Sequence, residues 1–332
     1  MNTATTVFRS IACVAVIAGA LETTAAAFAA GAEWRPDRPI RFVVGGSPGG
    51  AFGAVALLLA PKYQEALGQP WVVDHRGGAG GSVAGQIVAS ANPDGYTLLM
   101  SNGIMLTVRP QLYKAVSYKV SDLLPVSTLT RGQYMLVVHP SVGASTVKEL
   151  VAIAKSKPAG SLSYASTGVG APTHLGAEML GARAGIRMTQ IPYKGGSAAA
   201  LGVVRGDAHL TFVALISAIP QAKAGRVKAL GVSGLERSAL APEVPTVAEQ
   251  GFPGFDMTTW YGLFLPAKTP AHIVRAMQDI TEKALKTPDV ADGIARFGLE
   301  VFFRKTQEVE QLIRNESKTW AKVIKDAKIE VQ

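Results

Sequence analysis

Four short apolar runs in this chain each end at a turn rich in glycine and serine, and a segment of helical composition follows each turn. These glycine turns, numbered first to fourth in chain order, comprise residues 45–50, 77–82, 167–174 and 195–200. In an open α/β sheet, such turns lie at the carboxyl ends of the strands, where ligands bind. Glycine lets the backbone approach a ligand closely, and unpaired N–H groups at a helix start favour an anion. Because no matched set of catalytic side chains accompanies the turns, they predict a binding site for an anion.

The first 29 residues have the pattern of a secretory signal peptide. A basic residue precedes an apolar run over residues 11–21, and Ala27 and Ala29 supply the small residues of a cleavage site. The run is too short for a transmembrane helix, which needs roughly 20 apolar residues. We therefore expect a mature chain that begins at Ala30 and lies in the periplasm.

Cysteine usage and charge exclude several classes of protein. Cys13 is the only cysteine and lies inside the apolar run, so the mature chain has no disulfide and no cysteine metal site. The net charge of +9 is scattered along the chain, with no run of five basic residues and no interleaved aromatic residues. A nucleic-acid-binding surface would be clustered. Nucleic acid is therefore excluded as a partner.

The order of strand-like and helical segments predicts an α/β fold with two domains. Strand-like runs alternate with helical patterns over residues 39–231, which is typical of a mainly parallel sheet with crossover helices. Residues 124–140 and 255–266 are extended but lack the glycine turn and the helix. We predict that the chain enters a second domain near Arg131 and returns near Asp256. The expected domains are residues 30–130 plus 256–332 and residues 131–255, with the C-terminal helices on the first.

Two helix starts can be predicted from local capping patterns. Thr146 and Glu149 form a capping box, which predicts a helix over residues 147–155. Thr269 followed by Pro270 predicts an N-cap with proline at the first helical position.

The first glycine turn also matches the G-x-S-x-G pattern of a hydrolase nucleophile, with Ser47 as the serine. In that pattern the next residue donates its backbone N–H to the oxyanion, but Pro48 has no N–H. The remaining members of a triad would be a pair such as Asp256 and His272, but no sequence motif supports this pair. A secreted α/β esterase using Ser47 is the alternative to a binding protein.

Nucleotide and metal motifs are incomplete. Val83 and Thr173 occupy the third glycine position of two G-x-G-x-x-G patterns, and Ala51 stands where a P-loop needs lysine. The five histidines have no metal-ligand spacing, so neither a metal nor a cofactor is expected. His174, which follows the third turn closely, has two open roles: it either reaches a ligand or braces the turn.

Taken together, these segments resemble the periplasmic substrate-binding proteins of tripartite tricarboxylate transporters, the Bug or TctC family. The resemblance runs over residues 38–50, 67–100, 163–180, 191–200, 227–234, 237–255 and 260–270. It implies a non-enzymatic, type II-like periplasmic binding protein whose two α/β domains close like a Venus flytrap on a small organic anion. The implied ligand is a mono- or dicarboxylate, the implied partner is a membrane permease, and we expect a monomer.

The resemblance also implies where the ligand binds, which is at backbone groups of the first and third turns. The candidate ligand-binding residues are Ser47, Gly49, Gly50, Ala51, Phe52, Asn102, Ser166, Thr167, Gly170, Ala171, Pro172, His174, Tyr193 and Val213. No residue is assigned a catalytic role.

This chain departs from the family pattern at two places. The family commonly has an aromatic residue at the position of Gly46 and a hydroxyl and an acid soon afterwards, where this chain has Ala51, Phe52 and Gly53. Many members carry an acid at the position of Val213. Without that acid, a ligand ammonium has no evident partner. We therefore expect a ligand without an ammonium group, and an aromatic or apolar ligand body is favoured.

Overall fold

A computed structural model describes residues 34–46, 51–77, 81–114 and 118–330. The signal peptide and Ser47, Gly49 and Gly50 of the predicted site lie outside these residues. The strands are β1 (Ile40–Val44), β2 (Trp71–His75), β3 (Thr97–Asn102), β4 (Leu123–Gly132), β5 (Tyr134–Val138), β6 (Ser163–Ser166), β7 (Thr189–Pro192), β8 (Leu210–Ala214), β9 (Lys228–Val232), β10 (Thr259–Pro266) and β11 (Leu299–Val301). The helices are α1 (Ala51–Leu67), α2 (Ser82–Ala89), α3 (Gly103–Thr107), α4 (Arg109–Leu112), α5 (Val147–Lys155), α6 (Pro172–Ala184), α7 (Gly196–Val204), α8 (Leu215–Lys223), α9 (Ala271–Leu285), α10 (Pro288–Arg296) and α11 (Thr306–Asp326).

The strands form two sheets, in the orders β11-β4-β10-β3-β1-β2 and β7-β6-β8-β5-β9. In the first sheet β1 runs parallel to β2 and β3, while β10 is antiparallel to β3 and β4. In the second sheet β6 is parallel to β7 and β8, while β5 is antiparallel to its neighbours β8 and β9. Most strands in each sheet therefore share one direction, as predicted, and helices flank both sheets.

The reversed strands β5 and β10 mark the places where the chain passes between the sheets. Only Gln133 separates the end of β4 from the start of β5. β5 enters the second sheet at the end where the carboxyl ends of the other strands lie. It therefore runs antiparallel to its neighbours β8 and β9. The same holds for β10, which starts at Thr259 after the chain has left the second sheet.

All four glycine turns follow strands and precede helices, as the sequence predicts. They join β1 to α1, β2 to α2, β6 to α6 and β7 to α7. The Thr146 hydroxyl accepts a hydrogen bond from the N–H of Glu149 at 3.1 Å, which confirms that cap. The other predicted cap is wrong by one residue, because α9 begins at Ala271 with Pro270 as its N-cap. The Thr269 hydroxyl instead donates to the carbonyl of Pro266.

The last helix, α11, spans both sheets. Near its start, Val309 belongs to an apolar cluster with strands of the first sheet. Near its end, Trp320 and Val323 are buried with residues of the second sheet. At about 1.5 Å per residue the helix is long enough to reach across. The C-terminal helices were expected on the first domain; α9 packs in the core of the first sheet, whereas α11 contacts the second sheet as well as the first. Among the described residues, no helix has the length and apolar character that crossing a bilayer requires.

Candidate functional site

Phe52 takes the place of the aromatic side chain that position 46 lacks. A methyl carbon on Gly46 would collide with the Phe52 ring, so glycine is needed there once Phe52 is present. The Phe52 ring packs edge-to-face against Tyr261 of β10, with 4.6 Å between the ring centres. The half-buried Ala51 and Phe52 are the first residues of α1 and directly follow the first turn, of which Gly45 and Gly46 are described.

Asn102 ends β3 and caps α3. Its Oδ1 accepts a hydrogen bond from the N–H of Met105 at 2.9 Å. Its amide nitrogen has no protein partner among the described residues and can therefore donate to a ligand. In the sheet register Asn102 lies opposite Tyr261. This pairing brings Asn102 and Phe52 to the same tyrosine, which sequence patterns missed because Tyr261 lies inside a strand.

The third turn is stabilised by hydrogen bonds among its own residues. The N–H of Thr167 donates to the hydroxyl of Thr173 at 2.8 Å, and the N–H of Gly168 donates to the Ser166 hydroxyl at 3.1 Å. Ala171, the N-cap of α6, donates its N–H to the carbonyl of Gly168. These bonds fix the shape of the turn before any ligand arrives.

Two backbone N–H groups of the third turn make no hydrogen bond within the described residues. The N–H groups of Val169 and Thr173 have no hydrogen-bond partner among the described residues. Pro172 has no N–H and occupies the first position of α6, where its fixed φ suits a helix start. The turn therefore offers two N–H groups and the positive end of a helix to an anion.

His174 braces the third turn, which is one of the two roles left open for it. Its Nδ1 accepts a hydrogen bond from the N–H of Gly170 at 3.3 Å, and the side chain is buried. Burial lowers the pKa of His174 to about 4, so the ring is neutral at neutral pH. Since Nδ1 accepts, the proton of this neutral ring is on Nε2.

The fourth turn is tied to the third. The N–H of Tyr193 donates to the carbonyl of Ser166 at 2.7 Å, so the two predicted residues are direct neighbours. The Tyr193 ring lies against Gly202, where any side chain would clash with it. Val213 is only 1% exposed and packs in an apolar cluster of the second sheet. Its side chain thus lies in the core beside the site.

The charge pattern of the helices favours an anion at the strand ends. Six helices begin at the carboxyl ends of strands, namely α1, α2, α3, α6, α7 and α8, and none has an acidic residue in its first turn. Acidic first turns occur instead on α5, α10 and α11, with Glu149, Asp289 and Glu308. A carboxylate at a helix N-terminus would compete with an anionic ligand for the same partial positive charge.

A segment after α3 links the strand ends of the two sheets. The Tyr113 hydroxyl donates to the carbonyl of Val169 at 3.1 Å. A methyl carbon on Gly170 would lie 3.2 Å from Leu112, so the third turn packs closely on this segment. Sequence patterns missed Tyr113 because it belongs to no glycine turn.

A cavity of about 300 Å³ lies at the passage between the sheets and is lined by Arg131, Asp256, Trp260 and Glu316 among others. Burial is the main cause that raises the pKa of Glu316 to about 8, and the nearby Asp256 acts in the same direction. The indole N–H of Trp260 donates to Glu316 at 2.8 Å and opposes the shift. Burial also raises the pKa of Asp256. The cavity therefore holds two carboxyl groups that resist ionisation.

The residues suggested for a hydrolase do not come together. Asp256 lines the cavity between the sheets, whereas His272 lines a groove beside Trp34 and α1. Within the described ranges, no three His, Cys, Asp or Glu side chains are grouped as a metal centre requires.

Comparison with known proteins agrees with a binding function. Residues 55–329 match the model of the tripartite tricarboxylate transporter family receptor, TctC. A protein from the tcbD–tcbE intergenic region of Pseudomonas sp. strain P51 is 36% identical over 291 residues, which cover 87% of this chain and 86% of that protein. The structure of Rpa4515 from R. palustris with adipate superimposes with a TM-score of 0.77 at 29% identity, covering 89% of this chain and 99% of that one. The periplasmic binding protein BugD superimposes with a TM-score of 0.75 at 29% identity, covering 90% and 100%.

These similarities extend over nearly the whole described chain, and they decide between the two functions considered from the sequence. The esterase alternative is wrong, because the family and its structural relatives are solute-binding proteins. The chain belongs to the tripartite tricarboxylate transporter receptor family, whose members are periplasmic solute-binding proteins and not enzymes.

Proposed function

We propose that this protein captures a small organic carboxylate between its two sheets and delivers it to the membrane permease of a tripartite transporter. The observation that carries the proposal is the set of helix starts without acidic residues, together with the free N–H groups of Val169 and Thr173. The relative with the highest structural similarity described above was solved with adipate, a dicarboxylate. A permease is the partner expected for a receptor of this family.

The strength of such a site requires contributions from both sheets. A helix N-terminus contributes about 0.3–1 kcal/mol toward binding an anion, and up to about 2 kcal/mol when partly buried. Each charge-assisted hydrogen bond adds about 1.5–3 kcal/mol before ordering costs. Micromolar affinity needs about 8 kcal/mol, which one turn alone does not supply. Closure of two domains, residues 30–130 plus 256–332 on residues 131–255, is therefore part of the proposed binding step.

We expect the purified mature protein to bind carboxylates that lack an ammonium group at least tenfold more tightly than amino acids of similar size. Val213 offers no charge, and an unpaired ammonium in the closed site would lose its hydration without compensation. The Phe52 ring offers an apolar surface instead. Calorimetric titrations of succinate, adipate and benzoate against aspartate and glutamate test this.

Tighter binding of the amino acids would contradict that preference and would show that another acid receives the ammonium. Asp256 is the residue to replace next in that case, because it is a buried carboxyl group at the passage between the sheets. Failure of every carboxylate to bind would contradict the proposed function itself.

The protein is expected in the periplasm as a monomer that begins at Ala30, because Ala27 and Ala29 fit a signal-peptidase site. Fractionation of cells expressing the full chain, followed by N-terminal sequencing and size-exclusion chromatography, tests this expectation. An intact Met1 in the recovered protein would contradict cleavage.

A further inference from the structure

Arg109 lies between the ligand-facing turns of the two sheets. Its Nε donates to the hydroxyl of Ser82 at 2.9 Å, and Ser82 is the last residue of the second glycine turn. Its guanidinium lies over the ring of Tyr113, 4.2 Å from the ring centre. Tyr113 in turn donates to Val169 of the third turn. One arginine and one tyrosine thus connect a turn of the first sheet with a turn of the second.

The positive charge of Arg109 has no carboxylate partner. Among the described residues, no Asp or Glu oxygen lies within 4.0 Å of its guanidinium nitrogens, whereas Arg41 and Arg131 each pair with an acid. The contacts of Arg109 with Ser82 and Tyr113 occupy Nε and the face of the guanidinium, which leaves its two terminal nitrogens available to a ligand. Arginine presents parallel N–H groups that match both oxygens of a carboxylate.

A buried tyrosine lies beside this arginine. Tyr118 is 9% exposed, and its side chain packs against Gly85 of α2 with its hydroxyl next to Ser82. Burial raises the pKa of Tyr118 to about 12, although Ser82 and the charge of Arg109 oppose the shift, so the hydroxyl stays protonated. Tyr118 therefore adds no negative charge beside Arg109 and Ser82.

We propose that Arg109, with Tyr118 and Ser82 beside it, forms a subsite for the second carboxylate of a dicarboxylic ligand. The subsite rests on the proposed function, in which the first carboxylate binds the free N–H groups of the third turn. Because the face of the Tyr113 ring touches the guanidinium and its hydroxyl touches the third turn, the two carboxylates would bind near the same tyrosine. The subsite makes this receptor selective for dicarboxylates over monocarboxylates of the same chain length.

The test compares adipate with hexanoate, which has the same number of carbons and only one carboxylate. Calorimetry is performed on the wild-type mature protein and on the Arg109→Gln, Arg109→Lys and Arg275→Gln variants. We expect Arg109→Gln to weaken adipate binding about 30-fold, as the loss of charge-assisted bonds implies, and hexanoate binding less than about threefold. Arg109→Lys retains the charge but not the paired donors. Its adipate affinity is therefore expected to lie between that of the wild-type protein and that of Arg109→Gln.

Arg275 is the matched control because it is exposed on α9 and its replacement removes the same charge. Arg275→Gln is expected to leave both affinities unchanged. Equal weakening of adipate and hexanoate by Arg109→Gln, or no weakening of either, would overturn the subsite while leaving the carboxylate receptor intact. If the wild-type protein binds neither acid, the proposed function fails together with the subsite.

Discussion

Replacing Gly170 with alanine is expected to weaken carboxylate binding by about 30-fold, which corresponds to about 2 kcal/mol. Gly170 has a φ of +74°, a conformation that costs an L-residue about 1–2 kcal/mol. The added carbon would also lie 3.2 Å from Leu112, tighter than an ordinary contact. Relief of both strains moves the turn and displaces the neighbouring N–H of Val169. Calorimetry with adipate measures the loss.

Gly185 supplies a matched control for this substitution. Its φ is +65°, close to that of Gly170, but it ends α6 and has open space around it. Gly185→Ala is expected to lower the free energy of unfolding by about 1–2 kcal/mol, the cost of this conformation for an L-residue, and to leave ligand affinity unchanged. If the two variants bind adipate equally well, the third turn does not hold the ligand.

Replacing Glu316 with glutamine is expected to raise the free energy of unfolding by about 4 kcal/mol at pH 8 and to change it little at pH 4. Burial raises the pKa of Glu316 to about 8 in the folded protein, against an ordinary value near 4.5. A raised pKa means that the folded state favours the protonated acid, so this stabilisation is complete below pH 4.5. It is lost as the pH rises toward 8, because the unfolded carboxyl ionises first. Glutamine stays neutral and still accepts from Trp260.

Urea unfolding of the wild-type protein and of Glu316→Gln at pH 4, 6 and 8 measures this effect, and the difference between the two proteins should grow with pH. Glu310 on the same helix is the control, since it is partly exposed and pairs with Arg314. Glu310→Gln is expected to change stability by less than about 0.5 kcal/mol at every pH. A difference for Glu316→Gln that does not depend on pH would show that the pKa of this carboxyl is the same in the folded and unfolded protein.

Local patterns predicted the parts of the fold that depend on residues close together in sequence. The four glycine turns join strands to helices where the sequence places them, since strand composition, glycine and helix starts act within a few residues. The N-cap at Thr146 was confirmed for the same reason, although the Glu149 carboxylate accepts from the N–H of Ser145 and does not close the box on Thr146. Thr269 shows the limit of such patterns, because its hydroxyl found a closer acceptor in Pro266 and the helix starts later.

The candidate site was predicted in outline only. The third turn and Tyr193 are neighbours, as the order of strands and turns suggested, and Asn102 faces Tyr261 across the sheet. The role of His174 could not be predicted, because the choice between a ligand contact and a brace depends on where its ring points. The absence of an aromatic residue at Gly46 is explained by Phe52, whose ring fills that space from the following helix.

The sequence by itself determined the α/β class and the order of strands, turns and helices, because each depends on composition or on short-range pattern. From the same pattern it predicted an anion at the turns. Only the tertiary structure brought Arg109, Tyr113 and Val169 into one chain of contacts. It also placed Asp256 and Glu316 in one cavity, although 60 residues separate them. Contacts of this kind join residues whose separation along the chain carries no periodic signal. They form because the packing of whole helices and sheets brings distant side chains together. Charged side chains that meet in this way interact more strongly than in water, because the protein surroundings have a lower dielectric constant.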